Sequence, residues 1–231
     1  TSQDNPLYAT AADLDGDGDL DVVASSKVDR KLSWYRNDGG SPPVFTEILI
    51  STSGANQWRR GLAIADLDHD GDRDIVAAVP NLGVHWYQND GAATPGWIER
   101  VISDAFGLTS FIDVADINGD GDLDVVAAES TGTRIGWFEN DGALVPSWTT
   151  RATDMEVNQW APVSARDMDG DGDVDIVASA GANGFVWLDN DGNDPPSWMV
   201  RDLSSPGQSV GAMTPADVDG DGDLDLVIGV F

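Results

Sequence analysis

Five short stretches of this chain place a carboxylate at every second residue, the spacing at which a tight loop turns its side chains onto one point. Numbered one to nine, positions 1, 3, 5, 7 and 9 are Asp13, Asp15, Asp17, Asp19 and Asp21 in the first stretch. In the second they are Asp66, Asp68, Asp70, Asp72 and Asp74; in the third, Asp116, Asn118, Asp120, Asp122 and Asp124. The fourth runs Asp167, Asp169, Asp171, Asp173 and Asp175, and the fifth Asp217, Asp219, Asp221, Asp223 and Asp225. Position 6 is always glycine: Gly18, Gly71, Gly121, Gly172 and Gly222. A hard cation such as Ca2+ takes six to eight oxygens, and a sharp turn at glycine lets alternate residues supply them. Positions 1, 3, 5 and 9 are expected to ligate through side chains. Position 7 offers its backbone carbonyl, with its carboxylate adding field or holding a water. About five Ca2+ per chain follow from the five stretches.

The donor set discriminates among metals. Zinc and copper ask for His or Cys, and the chain has two His and no Cys; Mg2+ asks for strict octahedral geometry with several waters. An EF-hand needs a Glu at position 12, but that position is Ala24, Ala77, Ala127, Ala178 and Ile228, each inside an apolar run. A merely acidic, solvated turn does not need the same glycine in register five times.

Charge points the same way. The formal net charge is −29, yet 24 of the 41 acidic residues sit in the five loops, leaving 17 to face the chain's 12 Lys and Arg. Carboxylates concentrated at contact distance need a cation. No basic stripe meets phosphates, so nucleic acid is not an expected partner. No apolar stretch reaches the roughly 18 residues of a membrane helix, so membrane insertion is not expected either. An exported chain is expected to have its numbering begin after a signal peptide that was removed or left out. Without cysteine, disulfides cannot report the redox compartment.

The elements that must hold the loops repeat with them. Starts are 53, 50, 51 and 50 residues apart. Each loop is followed by a β-branched run beginning at Val22, Ile75, Val125, Ile176 or Leu226. Next come a Trp (Trp34, Trp86, Trp137, Trp187) and the Asn-Asp-Gly triplets at 37–39, 89–91, 140–142 and 190–192. A second aromatic follows: Phe45, Trp97, Trp148 or Trp198. Short apolar runs bounded by turn residues favour strands over helices, and Asn-Asp-Gly suits a tight hairpin. Each unit therefore reads as four strands, A to D, with the loop between A and B; residues 62–65 are one strand A. Four-stranded units at this period predict an all-β chain, a β-propeller of blades of about 50 residues. The units are 1–52, 53–103, 104–153, 154–204 and an incomplete 205–231, in a single repeat domain. A linear array of metal-stapled β modules is the other architecture, disfavoured because the repeats follow without linkers. Seven of the nine Trp hold repeat positions on strands C and D, which assigns them to the core between blades.

Taken together, the loops, the Val-Val-Ala runs, Trp-Tyr and Asn-Asp-Gly resemble the FG-GAP/VCBS-type repeats of integrin α-subunit propellers, some fungal lectins and many secreted bacterial proteins. The resemblance covers essentially the whole chain and implies calcium ligation by positions 1, 3, 5 and 9. The Phe-Gly and Gly-Ala-Pro signatures of the integrin version are absent.

The expected function is a non-catalytic, calcium-stabilised binding module for adhesion or carbohydrate recognition, extracellular or at the cell surface. The alternatives are an accessory propeller of a secreted polysaccharide-active enzyme and a structural subunit of an extracellular assembly. Catalysis needs a tuned nucleophile or acid–base pair. His69 is a loop variant at position 4 and His85 lies beside Trp86, so neither builds one. A ligand is expected where repeats differ, on the face opposite the calcium loops: Asn56, Gln57, Trp58, Phe111, Asn158, Gln159 and Trp160 offer aromatic faces beside amides. Their other reading is a cap on the core. The chain counts five A–B pairs against four C–D pairs, so the last strand is expected to take strands from further residues, a partner chain or an oligomer.

Overall fold

The computed structural model describes residues 5–52, 61–79, 81–106, 109–129, 134–156, 162–179, 184–203 and 210–230. Regular structure among them is all β. Blade one is β1 (Pro6–Ala12), β2 (Asp21–Ser26), β3 (Lys31–Asn37) and β4 (Phe45–Thr52). Blade two is β5 (Leu62–Ala65), β6 (Asp74–Val79), β7 (Gly83–Asn89) and β8 (Trp97–Ser103). Blade three is β9 (Thr109–Ala115), β10 (Asp124–Glu129), β11 (Arg134–Asn140) and β12 (Trp148–Glu156). Blade four is β13 (Val163–Arg166), β14 (Asp175–Ser179), β15 (Phe185–Asn190) and β16 (Trp198–Leu203), and a half blade follows with β17 (Val210–Ala216) and β18 (Asp225–Val230). In every sheet sequential strands are neighbours.

The B strands explain why the apolar runs do not alternate. Every residue of β6 and β10 is buried, because both faces of the sheet are covered. Each B strand sets a valine opposite the C-strand tryptophan: Val23–Trp34, Val76–Trp86, Val126–Trp137 and Val177–Trp187. Trp34, Trp86 and Trp137 are fully buried. Of the seven repeat-position Trp, these three C-strand residues are core, while Trp187 on β15 and the D-strand Trp97, Trp148 and Trp198 are half-buried.

The chain forms two compact units, Thr1–Thr109 and Ser110–Phe231. In the first, Leu14, Val23, Leu32 and Trp34 of blade one share a core with Leu62, Ile75, Ala77 and Tyr87 of blade two. Trp34 meets the D-strand Trp97 edge to face, with ring centroids 6.4 Å apart. In the second unit Ile117, Val126, Ile135 and Trp137 pack with Val163, Ile176, Val186 and Leu188. Blades within a unit bury their faces against each other. Phe111 lies inside β9, partly buried against this second core.

Candidate metal centres

The local hydrogen bonding of a loop shows which oxygens are committed to the backbone. The position 1 carboxylate accepts the N–H of the position 6 glycine in every loop, at 3.0 Å from Gly18, Gly71, Gly121 and Gly172 and 3.1 Å from Gly222. That glycine has φ between +94° and +102°, and a side chain there would meet nothing within 4 Å, so its dihedral and not its space demands glycine. Position 5 accepts the N–H of position 7: Asp17 from Asp19, Asp70 from Asp72, Asp120 from Asp122, Asp171 from Asp173 and Asp221 from Asp223.

Position 9 anchors the loop. Asp21, Asp74, Asp124 and Asp175 are buried, with Oδ2 accepting the N–H of position 2 at 3.0–3.2 Å. Their Oδ1 accepts the N–H of the hairpin asparagine, Asn37, Asn89, Asn140 or Asn190, at 2.7–2.8 Å. Loop and C–D hairpin therefore sit at one end of each sheet. Burial pushes the carboxyls of Asp74 and Asp124 up to about 7 against the pull of these N–H donors. The indoles of Trp86 and Trp137 lie close enough to favour the charged form, although neither N–H reaches full hydrogen-bond geometry.

Carboxylate oxygens of the loops also converge. One oxygen each from Asp13, Asp15 and Asp17, and from Asp66, Asp68 and Asp70, lie within 4.8 Å of one another. So do those of Asp167, Asp169 and Asp175, and of Asp217, Asp219 and Asp225. In the third loop the Asn118 amide donates to Asp120 at 2.8 Å. The position 7 carboxylates turn elsewhere: a Cβ added to the hairpin glycines Gly91, Gly142 or Gly192 would strike Asp72, Asp122 or Asp173 at 2.1–2.3 Å. Burial and then the neighbouring carboxylates push the carboxyls of Asp15 and Asp68 above the usual range. Oδ1 of Asp15, Asp66 and Asp68 are buried and accept no hydrogen bond. Buried oxygens of this kind are costly unless something meets them. An all-oxygen, anionic set that includes such partnerless atoms is what a hard cation fits.

The FG-GAP-like repeat model matches residues 13–77, 66–127, 116–178 and 167–228, each match running from one loop into the strand after the next. The chain belongs to the FG-GAP-like repeat family. Its fold is the β-propeller type, with four four-stranded blades and a half blade. Among solved structures it is similar to a lectin of Agrocybe aegerita, at 19% identity and a TM-score of 0.66. That match covers 96% of this chain and 60% of the lectin, whose structure is described as recognising non-reducing terminal N-acetylglucosamine. This FG-GAP chain thus spans less than two thirds of that lectin's length. No curated protein matches it.

Of the expected ligand residues, Asn56, Gln57, Trp58, Asn158, Gln159 and Trp160 lie outside the described residues. Phe111 is partly buried against the core. His69 is exposed, with φ +58° in the place where other loops have Gly. His85 is buried, with Nδ1 2.8 Å from Glu99 and Nε2 3.3 Å from the Leu82 carbonyl. The side chains reading the loops from outside escaped the sequence pattern. Gln88 donates to Asp68 at 2.5 Å, and a carboxylate oxygen of Asp189 lies within 4.8 Å of those of Asp169 and Asp171. Both precede the hairpin asparagine, a position that differs in every blade. No helix among the described residues is long and apolar enough to cross a membrane.

Proposed function

We propose that this chain is a non-catalytic, calcium-stabilised extracellular binding module that recognises a glycan, with a protein adhesion ligand as the variant of the same reading. The observation that carries the calcium half is the set of buried, partnerless oxygens of Asp15, Asp66 and Asp68 inside acidic loops. Positions 1, 3, 5 and 9 would hold the ion, with the position 7 carbonyl. Ca2+ held there would supply the positive charge that balances the loop carboxylates, whose oxygens would form its coordination shell. The protein's own part is to hold each loop closed through the glycine N–H on position 1 and the hairpin N–H on position 9. Carboxylates that repel one another in the empty loop make stability depend on metal.

The glycan half is supported by the fold shared with a lectin and by the two Asn-Gln-Trp segments, 56–58 and 158–160. In the sequence each segment falls between a D strand and the next A strand, where the repeats differ. Aromatic rings beside amides suit a sugar's apolar face and its hydroxyls. A glycan array read with calcium and with EDTA tests the proposal. Specific binding lost on chelation supports it; no glycan bound in either condition removes the carbohydrate reading.

In the structural-subunit reading, strands from further residues or from a partner chain would cover β18. Val227 on β18 is 45% exposed, where its counterparts Val23, Val76, Val126 and Val177 are fully buried. Among the described residues β18 pairs only with β17.

A further inference from the structure

In blade two the loop carboxylates are not left to arrange themselves. Asp68 is 1% exposed, its Oδ1 accepts no hydrogen bond, and one of its oxygens lies within 4.8 Å of oxygens of Asp66 and Asp70. Its Oδ2 accepts the side-chain N–H of Gln88, which projects from β7. The other end of that amide is also fixed: Gln88 Oε1 accepts Arg100 Nε at 3.0 Å and Nη2 at 2.8 Å. Arg100 in turn stacks on the Trp86 ring, 5.5 Å from its centroid. The chain runs from a core tryptophan through a guanidinium and an amide to one oxygen of one carboxylate.

This geometry singles out glutamine. A carboxamide has one donor end and one acceptor end, and here the acceptor faces a cation while the donor faces an anion. Glutamate would set a second carboxylate against Asp68. A cationic side chain would oppose Arg100. The corresponding side chains elsewhere are used differently. Arg36 pairs with Asp38, and Glu139 with Arg151. Asp189 binds Arg201 and places a carboxylate oxygen within 4.8 Å of those of Asp169 and Asp171.

We propose that Gln88 is a positioning residue for the second cation site: by occupying Oδ2 of Asp68 it turns the partnerless Oδ1 toward the ion, so the site in blade two is tuned from outside its loop. This rests on the calcium reading above. A charge-assisted hydrogen bond to a buried carboxylate is strong enough to matter for affinity, because it removes one rotational freedom that ion binding would otherwise have to freeze.

Calorimetric Ca2+ titration of the chelator-stripped whole chain provides the test, with Gln88→Met, Asp68→Asn and the double variant beside the parent. Gln88→Met should weaken one calcium step about tenfold and leave the others in place. Its melting midpoint in excess EDTA should move less than its midpoint in calcium, since a purely structural loss would move both equally. On top of Asp68→Asn, Gln88→Met should cost nothing further, because its partner oxygen is already changed. An unchanged titration for Gln88→Met, or additive losses in the double variant, overturns the proposal while leaving calcium binding intact. A parent chain that takes up no Ca2+ overturns the calcium reading, and this one with it.

Discussion

The side-chain amide of Asn190 donates to the carbonyl of Ile117, 73 residues earlier and 2.8 Å away, and so ties the hairpin of blade four to the cation loop of blade three. The same amide donates to Val174 in its own loop at 3.0 Å, its oxygen accepts Gly192 N–H at 3.1 Å, and its backbone N–H holds Asp175. Asn89 repeats the arrangement in the first unit, reaching Leu14 at 3.0 Å and Arg73 at 3.1 Å. One residue type closes a turn, fixes the position 9 carboxylate and clasps two blades.

Removing that clasp should therefore cost more than removing a turn residue. Asn190→Ala leaves two carbonyls without their donor, and each buried loss is worth about 1–3 kcal/mol. At about 2–4 °C per kcal/mol for a chain of this size, the two losses together should lower the melting midpoint by roughly 4–24 °C. Calorimetry in saturating calcium measures it. A midpoint within a degree of the parent would show that water replaces the amide at no cost.

Chelation should lower the melting midpoint far more than any single surface substitution. A ligand bound only to the folded state at a hundred times its Kd stabilises by about 2.7 kcal/mol per site. Elemental analysis of dialysed protein should find about five Ca2+ per chain, one per loop. Protein without calcium, melting identically with and without EDTA, would end the metal reading.

The second residue of each hairpin triplet sets an acid limb. Backbone N–H groups of Gly96 and Ala92 hold Asp90 below the usual carboxylate range, and those of Ser147 and Ala143 do the same for Asp141. A lowered folded value means stability that is present above the unfolded value of 3.8 and lost as pH falls through the folded one. Asp141→Asn should thus be destabilising at neutral pH, with a penalty that shrinks as pH drops below that value. Denaturant midpoints of parent and variant across an acid series give the comparison; a penalty independent of pH would mean that charge plays no part.

Tryptophans at repeat and non-repeat positions should separate folding from recognition. Trp86 is fully buried, and its replacement by Ala should cost about 3–5 kcal/mol. Trp58→Ala and Trp160→Ala should instead weaken glycan binding with small changes in melting. Equal destabilisation by all three, with binding unaffected, would assign the Asn-Gln-Trp segments to the core.

These contrasts track what a sequence can carry. The loops were legible because their chemistry is local: position 1 meets the N–H of position 6, and position 5 that of position 7, within nine residues. Strand order was legible because the repeat keeps its register. The second job of Asn190 was not, since its partner Ile117 belongs to another repeat. Gln88 was hidden for the opposite reason, as its position holds a different residue in every blade and leaves no pattern to notice. Phe111, expected among the ligand-facing residues, lies on β9, which begins at Thr109, and is partly buried against the core.

The open side of the half blade yields the last prediction. In four blades the B-strand valine is covered by a Trp-bearing C strand, whereas Val227 is 45% exposed on a β18 edge whose described partner is β17 alone. Such an edge presents unpaired N–H and C=O groups and apolar side chains together, and it recruits strands. Residues 1–231 expressed alone should therefore associate through β18 at micromolar concentration, and light scattering should show species larger than a monomer. Val227→Lys puts a charge on that edge, so it should restore the monomer while leaving the calcium titration unchanged. Val177→Lys, the same change where a tryptophan covers the valine, should prevent folding. A parent that stays monodisperse and monomeric, with Val227→Lys indistinguishable from it, would show that the edge needs no partner.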